Sequence, residues 1–202
     1  MGKPPRRNLW EDHFARKARK EQFAARSVYK LQEIQKRMHL IGKGHRVLDL
    51  GCAPGSWMQY AAELVGPGGK VIGIDLKPVS VELPPNAETM VADIFDVGET
   101  TPEIQAHGFD VVMSDMAPAT TGHRATDAAR SAALCEAALA LAMDLLVDGG
   151  HFLCKIFQGS DFKAFSDSVK ASFQQQRIFK PQSSRKASRE IYIAGLGKRG
   201  RD

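Results

Sequence analysis

Apolar residues in this chain fall into short unbroken runs that alternate with longer stretches at helical spacing. Arg46–Leu50, Lys70–Asp75, Asp110–Ser114 and His151–Phe157 are runs of this kind, rich in Val, Ile, Leu, Met and Phe, and read as strands, and Thr89–Val91 is short and strand-like. Between them, Ser56–Val65, Ala125–Val147 and Phe162–Phe173 read as helices. Arg177–Lys180 is a short extended piece, and Glu190–Gly195 closes the chain as a last strand. Upstream, Leu9 to Met38 reads as helix with room for one break. Phe14, Phe23, Val28, Leu31 and Ile34 form its intermittent apolar stripe, and Ser27 is placed to cap its second half with Lys30 one turn in. Gly42-Lys43-Gly44 ends that region, and Gly66-Pro67-Gly68-Gly69 is a helix stop. Strands alternating with helices predict an α/β fold: a mostly parallel, doubly wound sheet with right-handed crossovers and helices on both faces.

The length suits one domain with a substantial core. We divide it into a basic, helical extension over 1–43 that belongs to the same domain, a main body over 44–196, and a basic tail over 197–202. Residues 1–8, with Pro4, Pro5, Arg6 and Arg7, have little to bury and are expected to lack order. The composition, 43% hydrophobic and 25% charged, is that of an ordinary globular protein. The longest apolar stretch, Ala132 to Val147, is broken by Glu136 and Asp144, so no membrane span is expected. No signal peptide is expected either, since the N-terminus is charged throughout. Cys52, Cys135 and Cys154 form neither a CxxC pair nor a disulfide framework, which fits a reducing cytoplasm. The histidines are scattered, and no metal site is expected.

Charge changes the picture. Residues 1–43 carry 12 Lys and Arg against 4 Asp and Glu; residues 177–202 carry 8 against 2; the middle carries 8 against 17. An acidic body between two basic ends predicts that the ends hold a polyanion and bring it to the body.

The chemistry begins at Val47-Leu48-Asp49-Leu50-Gly51-Cys52-Ala53-Pro54-Gly55-Ser56-Trp57, where a strand meets an acid, a glycine turn and a helix. That order builds a nucleotide-type pocket at the carboxyl edge of a sheet, in the Rossmann-like manner. Dinucleotide loops read G-x-G-x-x-G and place their glycines around a pyrophosphate. Here Gly51 and Gly55 are separated by three residues, and Asp49 precedes them. S-adenosylmethionine has no pyrophosphate but carries an ammonium and a sulfonium, so an acid at this loop favours it. Asp75, closing the second strand, is placed to take ribose hydroxyls, and Asp93, closing the third, to take an adenine amino group; Asp93 reads almost equally well as a turn-forming residue.

The fourth strand ends in Ser114-Asp115-Met116-Ala117-Pro118, next to where a transferred methyl would lie. Enzymes that methylate an exocyclic base nitrogen present [N/D]-P-P-[Y/F] here, with the aromatic stacking on a flipped base. This chain has no aromatic there and no Pro-Cys nucleophile, which argues against base methylation. Lys155 sits among apolar residues in Phe152–Phe157, where a lysine requires a partner or a function. Its reading is a lysine directed into the cleft beside Asp115. Glu190 begins the last strand and can face the same cleft.

With these residues in place the chain closely resembles the FtsJ-type ribosomal RNA 2′-O-methyltransferases over roughly residues 25–195. The motifs are Ala25-Arg26-Ser27-Val28-Tyr29-Lys30-Leu31, the loop from Asp49 to Trp57, Ser114–Pro118, Lys155-Ile156-Phe157-Gln158-Gly159, and Ser183-Ser184-Arg185 through Tyr192. Ser56 departs from the family's usual second glycine. The resemblance implies a K-D-K-E catalytic tetrad at Lys30, Asp115, Lys155 and Glu190. It also implies S-adenosylmethionine contacts at Gly55, Trp57, Asp75, Asp93 and Asp115. The implied substrate is a uridine ribose in large-subunit (23S) ribosomal RNA, on assembled or nearly assembled 50S particles. Arg6, Arg7, Arg16, Lys17, Arg19, Lys20, Arg185, Lys186 and Arg189 are the candidate RNA phosphate contacts. Lys155 is the candidate base; if the neighbouring acids hold it protonated, it would instead stabilise the developing alkoxide. The rivals are a transfer-RNA or mRNA-cap ribose methyltransferase, a non-catalytic RNA-binding assembly factor that keeps the pocket, and, last, a small-molecule O-methyltransferase. A monomer is expected.

Overall fold

A computed structural model describes residues 9–96, 104, 108–185 and 187–200. Helices α1 (Leu9–Lys20) and α2 (Val28–Met38) precede β1 (Arg46–Leu50), α3 (Ser56–Val65), β2 (Lys70–Asp75), β3 (Ala87–Val91) and β4 (Phe109–Ser114). Then come α4 (Arg124–Leu145), β5 (Leu146–Phe157), α5 (Phe162–Ser172), β6 (Phe173–Phe179) and β7 (Glu190–Lys198). The seven strands form one sheet in the order β3-β2-β1-β4-β5-β7-β6. All adjacent pairs are parallel except those of β7, which runs antiparallel to β5 and β6.

Each sheet face buries its own core, because the strands alternate side chains between faces. On one face, α4 and α5 cover Leu48, Leu50, Ile74, Val112, Phe152 and Ile156. On the other, α2 and α3 cover Val47, Val71, Val111, Met113, Leu153 and Tyr192. Asp49 and Lys155 share the second face by alternation with Val47 and Leu153. That choice of face decides which helix can reach the chemistry.

The expected long N-terminal helix is two helices. Gln22 adopts φ 62° after α1, and the chain turns through Ala24–Ser27 before α2 starts. Ser27 stands at the N-cap, yet its hydroxyl does not cap the helix; it bonds the Ser56 hydroxyl at 2.9 Å. The strand expected from His151 begins at Leu146, which pairs with Phe109 before the register slips to Val111–His151. Gly149, at φ 82°, turns the inserted residues out, a conformation open to glycine. This ends α4 at Leu145, two residues short of expectation. β6 begins at Phe173, four residues early: beyond the buried Phe173 this edge strand is largely exposed, with Gln174, Gln175 and Gln176 in sequence, and carries no alternation to read. β7 runs on to Lys198, so the expected tail from residue 197 starts inside the sheet. There Lys198 is buried and donates to the carbonyls of Met143 (2.7 Å) and Leu146 (2.6 Å) at the end of α4. Among the described residues no helix is long and apolar enough to cross a membrane.

Candidate active site

Strand pairing assembles the site. Ser114 lies opposite Cys154, so Asp115, one residue beyond β4, reaches Lys155 on β5; Lys155 lies opposite Tyr192 on β7, and Phe157 opposite Glu190. The Lys155 Nζ donates to the Asp115 main-chain carbonyl at 2.5 Å and lies 3.0 Å from its Oδ1. The Tyr192 hydroxyl donates to the same Oδ1 at 2.6 Å. From α2, the Lys30 Nζ pairs with Glu190 Oε1 at 2.7 Å and lies 6.0 Å from the Tyr192 ring centroid. Lys30, Asp115, Lys155 and Glu190 therefore converge around Tyr192, whose ring stacks on Trp57 with centroids 6.0 Å apart.

Burial acts first on Glu190 and would raise its pKa. The Lys30 ammonium, the Ser184 hydroxyl and the field of Lys155 outweigh it and hold the carboxyl below its ordinary value. Tyr192 is pushed well above the usual phenol range by burial and by Asp115 and Glu190, so it stays protonated and donates. Cys154 is pushed well up by burial, which keeps it a thiol and no nucleophile.

Beside this cluster lies a cleft of about 550 Å³ at the carboxyl ends of β1, β2, β3 and β4, lined among others by Gly51, Asp75, Asp93, Phe95, Asp115 and Met116. Its size suits a nucleoside. Gly51 (φ 79°) lets the loop pass Met116, whose Cγ would lie 2.4 Å from an added Cβ. The Asp75 carboxylate accepts the N–H of Ala53 (2.9 Å) and of Lys77 (2.9 Å), tying the glycine loop to the end of β2. Asp93 makes an Asx turn to the Phe95 N–H (3.1 Å) while lining the cleft, so the two sequence readings hold together. Leu76 and Phe95 stand 67% and 63% exposed here, apolar surface available to a flat ring. Beneath the loop, both carboxylate oxygens of Asp49 are buried without a hydrogen-bond partner. Burial, then the fields of Asp115 and Asp75, raise its pKa well above the carboxylate range. The cleft is acidic through Asp75, Asp93 and Asp115, which fits a cationic nucleoside ligand such as a sulfonium, and Asp49 beneath the loop is a buried carboxyl with no protein partner.

Gly55 and Trp57 do not line this cleft. Gly55 packs against Val79 and Val81, and the Trp57 ring is buried with its indole N–H donating to the Ser27 carbonyl at 2.9 Å. What Trp57 retains for a ligand is its backbone N–H in the first turn of α3. Of the candidate RNA contacts, Arg6, Arg7 and Lys186 lie outside the described residues. Arg16, Lys17, Arg19 and Lys20 are exposed on α1, which docks through Phe14 and Ala18 on Tyr29. Lys17 is engaged within the molecule, 3.8 Å from Glu21 and 4.5 Å over the Tyr29 ring. Arg185 is exposed, whereas Arg189 is half-buried and donates to the Arg124 carbonyl at 3.1 Å. Two participants escaped the sequence reading. Tyr192 shares a strand face with Glu190 two residues away, a signal the period-two pattern carries. Glu33, one turn after Lys30 on α2, accepts the N–H groups of Gln182 (2.6 Å) and Ser183 (2.9 Å), a contact 150 residues distant in sequence.

The parallel sheet with its single reversed strand, the glycine loop and the acids at the strand ends define a Rossmann-like methyltransferase. Among the described residues no group of His, Cys, Asp and Glu could hold a metal. The chain belongs to the FtsJ-like methyltransferase family, whose model matches residues 23–198. Among curated proteins it is 60% identical over 96% of both chains to a ribosomal RNA large subunit methyltransferase E of Desulforapulum autotrophicum. It is 53% identical to the protein so named in Desulfatibacillum aliphaticivorans, over 96% of this chain and 94% of that one. A crystal structure from Plasmodium falciparum described as a ribosomal RNA methyltransferase superposes with TM-score 0.76 at 27% identity, covering 89% of this chain and all of that one. The family implies a methyl donor of the S-adenosylmethionine type.

Proposed function

We propose that this protein methylates the ribose 2′-hydroxyl of a uridine in large-subunit (23S) ribosomal RNA, acting in the cytoplasm as a monomer on assembled or nearly assembled 50S particles. The observation that carries the reading is Lys155 held by Asp115 at the mouth of the cleft, with the Lys30–Glu190 pair beside it. Asp75 and Asp93 would hold the donor's ribose and adenine, and Asp49 and Asp115 would face its cationic end. S-adenosylmethionine, when bound, supplies an electrophilic methyl that the 2′ oxygen takes as the carbon–sulfur bond breaks.

The chain's own part is positioning and proton transfer. Two tetrahedral positions of the Lys155 Nζ are directed at Asp115, at its carbonyl and its Oδ1. One remains for the 2′-hydroxyl: there Nζ takes the proton once it has given up its own, or, still protonated, donates to the developing alkoxide, keeping both bonds to Asp115 in either case. Tyr192, donating to the same Oδ1, fixes the carboxylate that orients Nζ. Lys30 and Glu190 hold the substrate side of the pocket, with RNA phosphates on the exposed cations of α1 and on Arg185. The names of the relatives, and the basic ends of this chain, support RNA over a small molecule.

The test is transfer of labelled methyl to purified large subunits, naked ribosomal RNA and transfer RNA, with Lys155→Ala in parallel. Label on large subunits, recovered as a 2′-O-methyl nucleoside and absent with the variant while donor binding persists, is the expected result. Label confined to transfer RNA would move the substrate, and no label on any RNA would leave an RNA-binding assembly factor.

A further inference from the structure

Two basic ends of the sequence, residues 1–43 and 177–202, carry the positive charge of this protein, and the fold brings them together at one place away from the catalytic cleft. There, the last turn of α2 meets the edge strand β6 and β7 around a groove of about 590 Å³ lined by Arg37, Met38, Gln176, Arg177, Ile178 and Leu196. Arg37 comes from the first end and Arg177 from the second. Among the described residues no acid lines the groove. The Arg37 guanidinium sits 5.2 Å from the Phe179 ring centroid, and the Arg177 guanidinium donates to the neutral Gln175 side chain at 3.3 Å. Among the described residues neither guanidinium pairs with a carboxylate. Ile178, 47% exposed, leaves apolar surface beside the two cations.

Such a groove offers phosphate oxygens two guanidinium forks and a base an apolar wall of Met38, Ile178 and Leu196. Two elements tie it to the site. Arg37 follows Lys30 by two turns of α2, about 10 Å along the helix at ~1.5 Å per residue. Phe179, under Arg37, lies opposite Tyr192, which bonds Asp115. In sequence, exposed Lys180 and the loop bearing Arg185 connect β6, which lines the groove, to Glu190.

We propose that the groove between the end of α2 and β6 is a second RNA contact, which grips the sugar–phosphate backbone of the strand running out of the catalytic cleft. This inference rests on the proposed function. The groove anchors the RNA away from the reacting nucleotide, so it contributes affinity and no chemistry. Each phosphate contact to a single strand contributes about 0.7 to the slope of log affinity against log salt.

The experiment measures binding of a ribosomal RNA fragment and of large subunits across a salt series, for the parent, Arg37→Gln/Arg177→Gln and Arg37→Lys/Arg177→Lys. The expected result is a slope shallower by about 1.4 for the glutamine pair, with affinity down about tenfold at low salt. The lysine pair should keep the parent slope. Donor affinity and turnover at saturating RNA should match the parent in both. An unchanged slope for the glutamine pair overturns the inference, as does a loss seen with large subunits and not with the RNA fragment, which would assign the groove to a protein of the particle. Binding is read without turnover, so failure of the parent to methylate RNA would overturn the proposed function and leave the groove's own result standing.

Discussion

Glu33 offers a test of how α2 controls the loop that precedes β7. Its carboxylate accepts two backbone N–H groups, from Gln182 at 2.6 Å and Ser183 at 2.9 Å, while Lys30 one turn earlier holds Glu190 at the far end of the same connection. Hydrogen bonds to a charged acceptor contribute about 1.5–3 kcal/mol each, and the partial exposure of Glu33 and Gln182 places these at the lower end. Glu33→Gln keeps one oxygen for one amide but turns an NH₂ toward the other, so N–H faces N–H. At least one bond is lost and a repulsion added, for about 1.5–3 kcal/mol in all. Loop opening should then rise about 10- to 150-fold, at 1.4 kcal/mol per factor of ten. Amide hydrogen exchange reads this directly: the Gln182 and Ser183 amides should exchange at least about tenfold faster, and those of β1 and β4 should not change. Because the loop carries Arg185 and Ser184 to the substrate side, KM for RNA should rise while donor affinity holds. Unchanged exchange at both amides would refute the reasoning. A parallel loss of donor affinity would show that α2 acts through the glycine loop instead.

The Lys30–Glu190 pair, with side chains only 11% and 12% exposed, should behave as a buried pair: Lys30→Met leaves an unpaired carboxylate and should cost about 3–5 kcal/mol in urea unfolding, and adding Glu190→Gln should recover most of that loss. A second substitution that fails to recover stability would refute the coupling. Since the Glu190 carboxyl is held below its ordinary 4.5, its stabilisation is present in full above that pH and is lost as pH falls through the lower folded-state value. The acid limb of the stability curve should therefore be steeper in the parent than in Glu190→Gln; parallel limbs would contradict the shift. Gly51→Ala puts a Cβ 2.4 Å from the Met116 Cγ at φ 79°, so calorimetry should show donor affinity reduced by about tenfold or more, a backbone strain of about 1–3 kcal/mol. Unchanged affinity would mean the Met116 side chain swings clear at no cost. Gly195→Ala brings a Cβ within 2.4 Å of the fully buried Phe173 ring and should lower the unfolding free energy measured in urea by about 1–3 kcal/mol with no change in KM, while an unchanged free energy would show the ring can give way.

Much of this protein was legible in one dimension. The alternation of apolar runs and amphipathic stretches specifies the sheet, because a strand buried on both faces and a helix buried on one stripe impose different periods on the same kinds of residue. The glycine spacing and the acids at the ends of β2, β3 and β4 are likewise local, since a strand end and the turn after it are neighbours in sequence. Tertiary structure decided the rest. The reversal of β7 is a matter of pairing, and that reversal sets Tyr192 and Glu190 against Lys155. Lys155 alternates with Leu153 onto the face covered by α2, so its partners come from helix and strands far apart in sequence. The early start of β6, the turned-out residues at Gly149 and the capture of Lys198 by α4 rest on contacts that leave no period to read. Trp57 shows the difference most plainly. The resemblance implies a donor contact there, and packing turns its ring onto Tyr192 and its indole N–H to Ser27, which leaves its backbone N–H for a ligand. Sequence spacing states which residues share a face, whereas only the assembled core states what lies opposite that face, because burial and hydrogen bonding are settled between elements and not within them.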